Sequence, residues 1–246
     1  MGLFGFGKKT APVGNARQSA SALRPTKSEG LAYGLNIKPE HGYYVDIEAL
    51  DGDVSQIRLV DDSDDGGYPP RGNPILAGRP VDTEHVPTKM KWLDRKGHLV
   101  PDFDNGKINN VSARARHVIE SKEPGVHQFI PVEYVDKDGN HLEHRFFFFV
   151  GNRLDTMYDE NPTMVLANGR TWVPASDLAR RNKEIPPGKD PSLPARLMVD
   201  SQKVGPAQIW VEKHSGGGST FISEGMFKAF MAAGLTGIKP TPVETV

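Results

Sequence analysis

The chain has 246 residues, of which 37% are hydrophobic, enough for one large or two small folded domains. Thirty Lys and Arg residues nearly balance thirty-one Asp and Glu residues, so the overall charge favours neither a nucleic acid nor a membrane surface as a partner. Having no cysteine and no apolar run longer than Phe146–Val150, the sequence excludes disulfides, thiolate metal sites, cysteine nucleophiles and a transmembrane helix, which needs ~20 apolar residues.

The N-terminal segment is basic and lacks the hydrophobic period of a helix or strand. Residues 1–38 carry six basic residues against one acidic residue, a net charge of +5, which predicts a disordered basic tail. A secretory signal does not fit because no long apolar stretch follows Lys8-Lys9, and a myristoylation signal does not fit because Phe6 replaces the required Ser or Thr. Docking of the apolar residues at positions 3–6 onto a membrane or a partner is the alternative.

The charge reverses from Glu40 to Gly67, where nine acidic residues stand against the single basic residue Arg58. With a net charge of −8, this stretch is the clearest electrostatic feature of the sequence. Within it, Tyr43–Leu50 and Gln56–Val60 contain β-branched and aromatic residues and flank Asp51-Gly52-Asp53. The two runs therefore predict a β-hairpin.

The loop that follows this hairpin is the most acidic part of the chain, with Asp61, Asp62, Asp64 and Asp65. Carboxylates at alternate positions before a glycine are typical of a calcium loop, but such a loop requires a glutamate at its twelfth position. Gly72 occupies that position. We therefore predict no metal site here and favour either a solvated loop or an acidic contact surface for a basic partner.

The prolines of residues 73–110 predict irregular connections and one edge strand near Met90–Leu93. The hydrophobic patterns of helices and strands become clearer after Asn110. Ser112 is a good N-cap for a helix over Ala113–Glu120, and Pro124-Gly125 would end that helix.

The strongest hairpin signal joins His127–Val135 to Leu142–Val150 through Asp138-Gly139-Asn140. Its second strand has four consecutive phenylalanines, Phe146–Phe149, in place of an alternation. Both faces of that strand must therefore be covered, which predicts a central position in a sheet.

The C-terminal third predicts a long connection followed by a second hairpin. Residues 161–194 show only one short helix, at Ser176–Asn182. Strands then follow at Ala207–Lys213 and Thr220–Ile222, around a glycine-rich turn.

The end of the chain predicts a capped helix and one more strand. Ser223 is the N-cap, and Gly234 ends the helix because glycine adopts the left-handed conformation without steric cost. Leu235 can then fold back on the last turn, as in a Schellman cap. The prolines that follow Ile238 would confine a final strand to a sheet edge.

No motif in the sequence supports catalysis or metal binding. His141 and His144 lie three residues apart on a strand, where they would face opposite sides, so one ion could not easily bind both. Arg114–His117 is more typical of an exposed basic helix face than of a phosphate site. The turn His214–Thr220 lacks the lysine of a phosphate-binding loop. We predict no catalytic residue, no metal ligand and no cofactor.

Together these elements predict an α+β fold, with a mixed, mainly antiparallel sheet of hairpins and a few short helices packed on it. The chain would divide into the basic tail (1–38), a variable β-rich N-terminal part with the acidic loop (39–100) and a C-terminal α+β domain (101–246).

Turn glycines, apolar strand residues and helix caps recur in six segments: Ser112–Glu120, Pro124–Glu133, Arg145–Asp155, Gln208–Val211, Phe221–Glu224 and Ala233–Ile238. In these segments the chain, from about Asp102 to Val243, resembles a family of bacterial immunity proteins of polymorphic-toxin systems, with a myxobacterial namesake. The resemblance implies a cytoplasmic α+β protein, encoded beside a secreted toxin that a type VI or related system often delivers. It also implies that the protein neutralises this toxin by binding, and it assigns no catalytic residue.

An inhibitor that acts by occlusion needs a rigid scaffold, exposed loops and complementary charge. Many toxins that cleave nucleic acids have basic clefts, which an acidic stretch could approach rapidly and fill. We therefore predict that the acidic loop forms part of the toxin-facing surface, with Tyr68 as an aromatic anchor. The residues concerned are Asp61, Asp62, Asp64, Asp65 and Tyr68.

Two other functions stay open on the sequence alone. The first is a hydrolase in which His117, His127 or His144 meets a buried carboxylate in a pocket. The second is an adaptor of a secretion apparatus, tethered through the basic tail. The sequence leaves the oligomeric state open.

Overall fold

The computed structural model describes residues 32–38, 45–69, 73–94, 98–105, 109–216 and 219–246. The predicted basic tail lies outside these ranges as far as residue 31. Within the ranges, the chain forms two six-stranded sheets, a separate two-stranded hairpin and four short α-helices. Most strand pairs are antiparallel, so the predicted α+β fold is confirmed.

The first sheet is built around the hairpin that had the strongest sequence signal. In spatial order, its strands are β2 (Ile47–Ala49), β3 (Lys89–Trp92), β6 (Gln128–Val135), β7 (His141–Phe149), β5 (Asn109–Ser112) and β4 (Phe103–Asn105). Phe147 and Phe149 pack into one hydrophobic cluster, whereas Phe146 and Phe148 pack into another. Both faces of β7 are therefore covered, as predicted.

The second sheet contains the predicted C-terminal hairpin. In spatial order, its strands are β11 (Met198–Val199), β14 (Thr241–Thr245), β1 (Ala32–Gly34), β13 (Thr220–Ser223), β12 (Ile209–Glu212) and β8 (Arg153–Leu154). β12 and β13 pair antiparallel, which confirms the hairpin.

One further hairpin lies inside the stretch predicted as a long connection. It consists of β9 (Met164–Ala167) and β10 (Thr171–Pro174). Asn168 and Gly169 make its turn with φ angles of +53° and +67°. This Asn-Gly pair is a hairpin signal that the sequence analysis missed.

The prediction of the first hairpin is wrong for its second strand. β2 pairs with β3 and not with Gln56–Val60. The side chain of Asp53 accepts a hydrogen bond from the Ser55 N–H (3.0 Å) and caps a short 3-10 turn at Val54–Gln56. This local hydrogen bond competes with strand pairing. Tyr43, where the first strand was predicted to begin, lies outside the described residues.

Two strands predicted at sheet edges lie inside the sheets. β3 lies between β2 and β6. β14 lies between β11 and β1, where Pro242 pairs with Tyr33. The missing N–H of Pro242 is tolerated because β11 pairs only with Glu244 and Thr245, further along β14.

The helices are α1 (Ala113–Lys122), α2 (Ala175–Arg180), α3 (Ser201–Val204) and α4 (Glu224–Ala232). Ser112 and Ser223 cap α1 and α4 as predicted, each accepting a backbone hydrogen bond at 3.1 Å. Gly234 has a φ of +60° and ends α4. The Leu235 N–H then donates to the Phe230 carbonyl (3.2 Å), which completes the predicted Schellman cap.

Helices α1 and α4 link the two sheets through one hydrophobic core. Ala115 and Ile119 of α1 and Met226 and Phe230 of α4 share this core with strand residues of both sheets: Val111, Phe148, Ile209, Val211 and Ile222. β2 and β3 come from the stretch 39–100, and they share a sheet with strands of the C-terminal part. The three-part division of the chain stays a prediction.

Asp102 connects the first sheet, α1 and the loop after α4. Its carboxylate accepts hydrogen bonds from the Ser112 hydroxyl (2.6 Å), the Arg114 guanidinium (2.5 Å) and the Thr236 N–H (2.9 Å). Burial alone would raise the pKa of Asp102, but these donors lower it to about 2. The ionised carboxylate therefore stabilises the junction.

We expect Asp102→Asn to lower the free energy of unfolding at pH 7 by about 2 kcal/mol, because the folded state favours the charged form of the side chain. This contribution is fully present above the usual pKa of 3.8 and disappears as the pH falls through about 2. Urea denaturation of both proteins should show a difference that shrinks over this range. A difference independent of pH would contradict the assignment.

Candidate functional site

The acidic loop, residues 61–68, folds back onto the strands of the second sheet. The Tyr68 N–H donates to the Lys213 carbonyl just beyond β12 (3.0 Å). Gly67 approaches the same residue so closely that a Cβ atom would stand 2.6 Å from the Lys213 carbonyl oxygen. A larger residue at position 67 would therefore push the loop away from the sheet.

Arg153 of β8 holds the loop from the side of the sheet. Its side chain is largely buried and donates to both carboxylate oxygens of Asp65, at 2.7 and 3.3 Å. It also donates to the carbonyls of Tyr68 (2.7 Å) and Ala77 (3.0 Å). Arg79 forms a second ion pair with Asp65 at 2.9 Å. Two guanidinium groups, those of Arg79 and Arg153, thus share the carboxylate of Asp65.

Two further groups of hydrogen bonds hold the rest of the loop. Arg79 donates to the backbone carbonyls of Asp61 (3.0 Å) and Ser63 (2.8 Å). Arg170, in the turn between β9 and β10, pairs with Asp64 at 2.5 Å. The loop is therefore fixed to three separate parts of the fold by arginine side chains.

These contacts divide the four predicted aspartates into two pairs. The hydrogen bond from Arg170 lowers the pKa of Asp64 to about 2. Burial alone would raise the pKa of Asp65, but the hydrogen bond from Arg153 holds it well below its usual value. Asp64 and Asp65 thus stay ionised, and the arginines neutralise much of their charge. Asp61 and Asp62 are exposed, as Asp64 also is, whereas Asp65 is partly buried.

The sequence analysis did not identify the arginines, because their pairing with the loop depends on tertiary structure. Arg153 is 88 positions from Asp65, and Arg170 is 106 positions from Asp64. Only the excess of aspartates was visible in the sequence.

A cavity of about 330 Å³ opens beside Tyr68, and we call it the Glu212 cavity. Gly216 lines this cavity and lies against the Tyr68 ring, which a Cβ atom on Gly216 would approach to 3.1 Å. Its apolar walls are Met157, Met164, Trp172, Leu197 and Phe221. Tyr68 of the acidic loop therefore lies next to one wall residue of the cavity.

Glu212 is the acidic residue of this cavity and is 2% exposed. Its carboxylate accepts hydrogen bonds from the Thr156 N–H (2.9 Å) and hydroxyl (2.8 Å), and from the His214 N–H (3.2 Å). Burial raises the pKa of Glu212, and the nearby Asp155 contributes in the same direction. The sequence analysis did not identify this site, because Ile209–Glu212 has the pattern of the end of an apolar strand.

Trp172 of β10 lines the same cavity. Its indole N–H is buried and has no acceptor within the part of the chain that the structure describes. A buried donor without a partner is uncommon in folded proteins.

His127 does meet a buried carboxylate, as the hydrolase alternative requires. Its Nε2 lies 2.8 Å from Glu123, and its Nδ1 accepts a hydrogen bond from the Gly151 N–H (3.1 Å). Glu123 also accepts hydrogen bonds from the backbone N–H groups of Gln208 (2.8 Å) and Ile209 (2.9 Å). In the described part of the chain, neither His127 nor Glu123 lines the Glu212 cavity, the groove beside β1 and β14 or the groove beside Trp92 and Leu142. The pair joins α1 to β6 and β12 through these hydrogen bonds.

His141 and His144 do not face opposite sides, so that prediction is wrong. Their ring centroids lie 4.8 Å apart. The cause is a bulge in β7, because Val135 pairs with His141 while Tyr134 pairs with Glu143. The extra residue shifts the alternation by one position. Even so, no three potential metal ligands converge anywhere in the described ranges.

Comparison with known proteins identifies the family. A model described as an immunity protein family, Imm11, matches residues 39–245, which include the acidic loop, its three arginines and the Glu212 cavity. A search of curated proteins finds no match. None of the helices in the described part of the chain is long and apolar enough to cross a membrane. The match covers most of the sequence and confirms the resemblance, so the chain belongs to the Imm11 immunity protein family.

Proposed function

We propose that this chain binds a cognate antibacterial toxin encoded beside it and neutralises that toxin by occlusion, with no catalysis of its own. The family match over residues 39–245 is the observation that carries the proposal. The saturated hydrogen bonding of the Glu123–His127 pair supports it, because the histidine nearest to a buried carboxylate is engaged in holding the fold. The chain would act in the bacterial cytoplasm, against a toxin delivered by a type VI or related secretion system.

We place the toxin-facing surface at the acidic loop, with Tyr68 beside it. Asp61 and Asp62 would supply the exposed charge, and Asp64 and Asp65 would hold the loop in place through their arginines. A loop that is already ordered loses little conformational entropy on binding. Exposed negative charge would also speed the encounter with a basic partner.

The charge reversal Asp61→Lys with Asp62→Lys tests this surface without breaking the arginine pairs. We expect the association rate with the toxin domain to fall by about tenfold at low salt, and protection in a co-expression assay to weaken. The fold should be preserved, because both side chains are exposed.

A matched control carries Glu48→Lys and Asp138→Lys, which change the net charge equally at exposed positions of the first sheet and its hairpin turn. The control should keep a nearly normal association rate. If both double variants associate at the same rate, the acidic loop is not the contact surface.

A further inference from the structure

The Glu212 cavity lies where a partner on the acidic loop would cover it. The Tyr68 ring and Gly216 connect the loop to the cavity. On the other side, His214 hydrogen-bonds through Nδ1 to the Arg170 carbonyl (3.0 Å), in the same turn that holds Asp64. A protein that contacts the acidic loop is therefore placed to insert a side chain into the cavity.

The buried carboxylate of Glu212 lacks a cation. An ionised carboxylate has about four acceptor sites, and Thr156 and His214 fill three of them. No lysine, arginine or histidine side chain of the described residues forms an ion pair with it. A buried charge without a counter-charge is unfavourable, so a cation that enters the cavity would be strongly attracted.

The walls of the cavity favour a planar cation with an apolar stem. Trp172 and Phe221 present aromatic surface, and Met157 and Met164 present flexible apolar surface. Guanidinium stacks on aromatic rings and matches a carboxylate, and it is weakly hydrated compared with ammonium.

We propose that the Glu212 cavity receives an arginine side chain of the bound toxin, with Glu212 as its counter-charge and Trp172 and Phe221 as its aromatic walls. This inference rests on the proposed function and names the part of the surface that holds the complex together. The acidic loop would then set the rate of association, and the cavity would set the rate of dissociation.

The variant Glu212→Gln removes the charge and keeps the size of the side chain. We expect the toxin complex of this full-length variant to dissociate at least tenfold faster than the wild-type complex, with an association rate that changes by less than twofold. Glu244→Gln, which neutralises a carboxylate on β14, separated from β12 by β1 and β13 in the same sheet, is the control and should dissociate like the wild type. A thermal melt checks that both variants are folded.

A probe without toxin provides a second measurement. Propylguanidinium should change the tryptophan fluorescence of the wild-type chain in a saturable way, and Glu212→Gln should abolish that change. Trp172→Phe, which keeps the carboxylate, should bind the probe with a smaller fluorescence response.

The outcomes separate the two proposals. If wild-type protein binds the toxin but Glu212→Gln dissociates no faster than Glu244→Gln, the arginine pocket is wrong and the immunity function stands. If the wild-type chain does not bind the toxin at all, both proposals fall. Saturable binding of the probe with no effect of Glu212→Gln on the complex would assign the cavity to a small cation, which also overturns the inference.

Discussion

Replacing Arg153 with alanine is expected to lower the free energy of unfolding by about 3 kcal/mol at pH 7 and to release the acidic loop. Arg153 is 7% exposed and makes four hydrogen bonds, two to Asp65 and one each to the carbonyls of Tyr68 and Ala77. Without Arg153, the carbonyls of Tyr68 and Ala77 and the carboxylate of Asp65 lose the hydrogen bonds that its guanidinium donates. Arg79 still pairs with Asp65, which keeps the cost at the lower end for a broken ion pair of this kind.

The effect should depend on pH in a defined direction. The pKa of Asp65 lies well below its usual value of 3.8 in the folded state, so its ion pairs stabilise the fold fully above that pH. The stabilisation is lost progressively as the pH falls below 3.8. Urea denaturation at several pH values should therefore show the wild type and Arg153→Ala converging in acid. Equal stability of the two proteins at pH 7 would contradict the assigned role.

The functional consequence follows from the loop geometry. Amide hydrogen exchange at Tyr68 should accelerate in Arg153→Ala, because the N–H of this residue bonds to Lys213 only while the loop is held against the sheet. Protection against the toxin should weaken even though Asp61 and Asp62 are unchanged. Arg196→Ala removes an arginine that is 52% exposed and pairs with Glu244 at 3.4 Å. That control should change stability by less than about 0.5 kcal/mol and leave Tyr68 protected.

The features that the sequence predicted well depend on contacts between near neighbours in the chain. Ser112 and Ser223 cap their helices through bonds to residues three positions away, and Gly234 ends α4 through its own backbone conformation. The hairpin of β6 and β7 likewise has its turn chemistry between its strands. Such interactions are encoded in short segments, so pattern and propensity are enough to identify them.

The features that were missed depend on distant pairing. The strand register that places β3 beside β6, rather than at an edge, is set by residues about forty positions apart. The bulge that brings His141 beside His144 depends on how β6 and β7 align at Tyr134 and Val135. Neither follows from local pattern, because alternation assumes an uninterrupted strand.

The candidate site likewise combines features that are visible in the sequence with features that depend on distant pairing. The charge of the acidic loop was evident from composition, but the anchoring of Asp64 and Asp65 required the positions of Arg153 and Arg170. Glu212 was hidden for a related reason. Its importance comes from burial beside Trp172, which depends on tertiary contacts such as the hydrogen bond from the Trp172 N–H to the His214 carbonyl just beyond β12 (3.1 Å).

Replacing Glu123 with alanine is expected to have the largest effect on stability, about 4 kcal/mol. The carboxylate accepts the backbone N–H groups of Gln208 and Ile209 (2.8 and 2.9 Å), and it also bonds to His127 and Asn152 (2.8 and 2.9 Å). Alanine would leave two buried main-chain donors without acceptors at the junction of α1 and β12.

The contribution of Glu123 to the free energy of unfolding should depend on pH. Burial alone would raise the pKa of Glu123, but the hydrogen bond from His127 and the backbone donors lower it overall. Its contribution is therefore complete above the usual pKa of 4.5 and declines as the pH falls below that value. Glu120→Ala, three positions earlier on α1, removes a half-exposed carboxylate paired with Arg116 and should cost less than about 1 kcal/mol. Chemical denaturation of the three proteins at pH 7 measures the difference.

The Glu123 variant also decides between a structural and a catalytic reading of the buried histidine. If the pair holds α1 and β12 together, Glu123→Ala should lose stability and protection in parallel, and a milder Glu123→Gln should lose less of both. A hydrolase would behave differently, because removing a catalytic carboxylate commonly abolishes activity while the fold keeps its stability. Wild-type stability in Glu123→Ala, together with complete loss of protection, would therefore favour catalysis over occlusion as the way this chain acts.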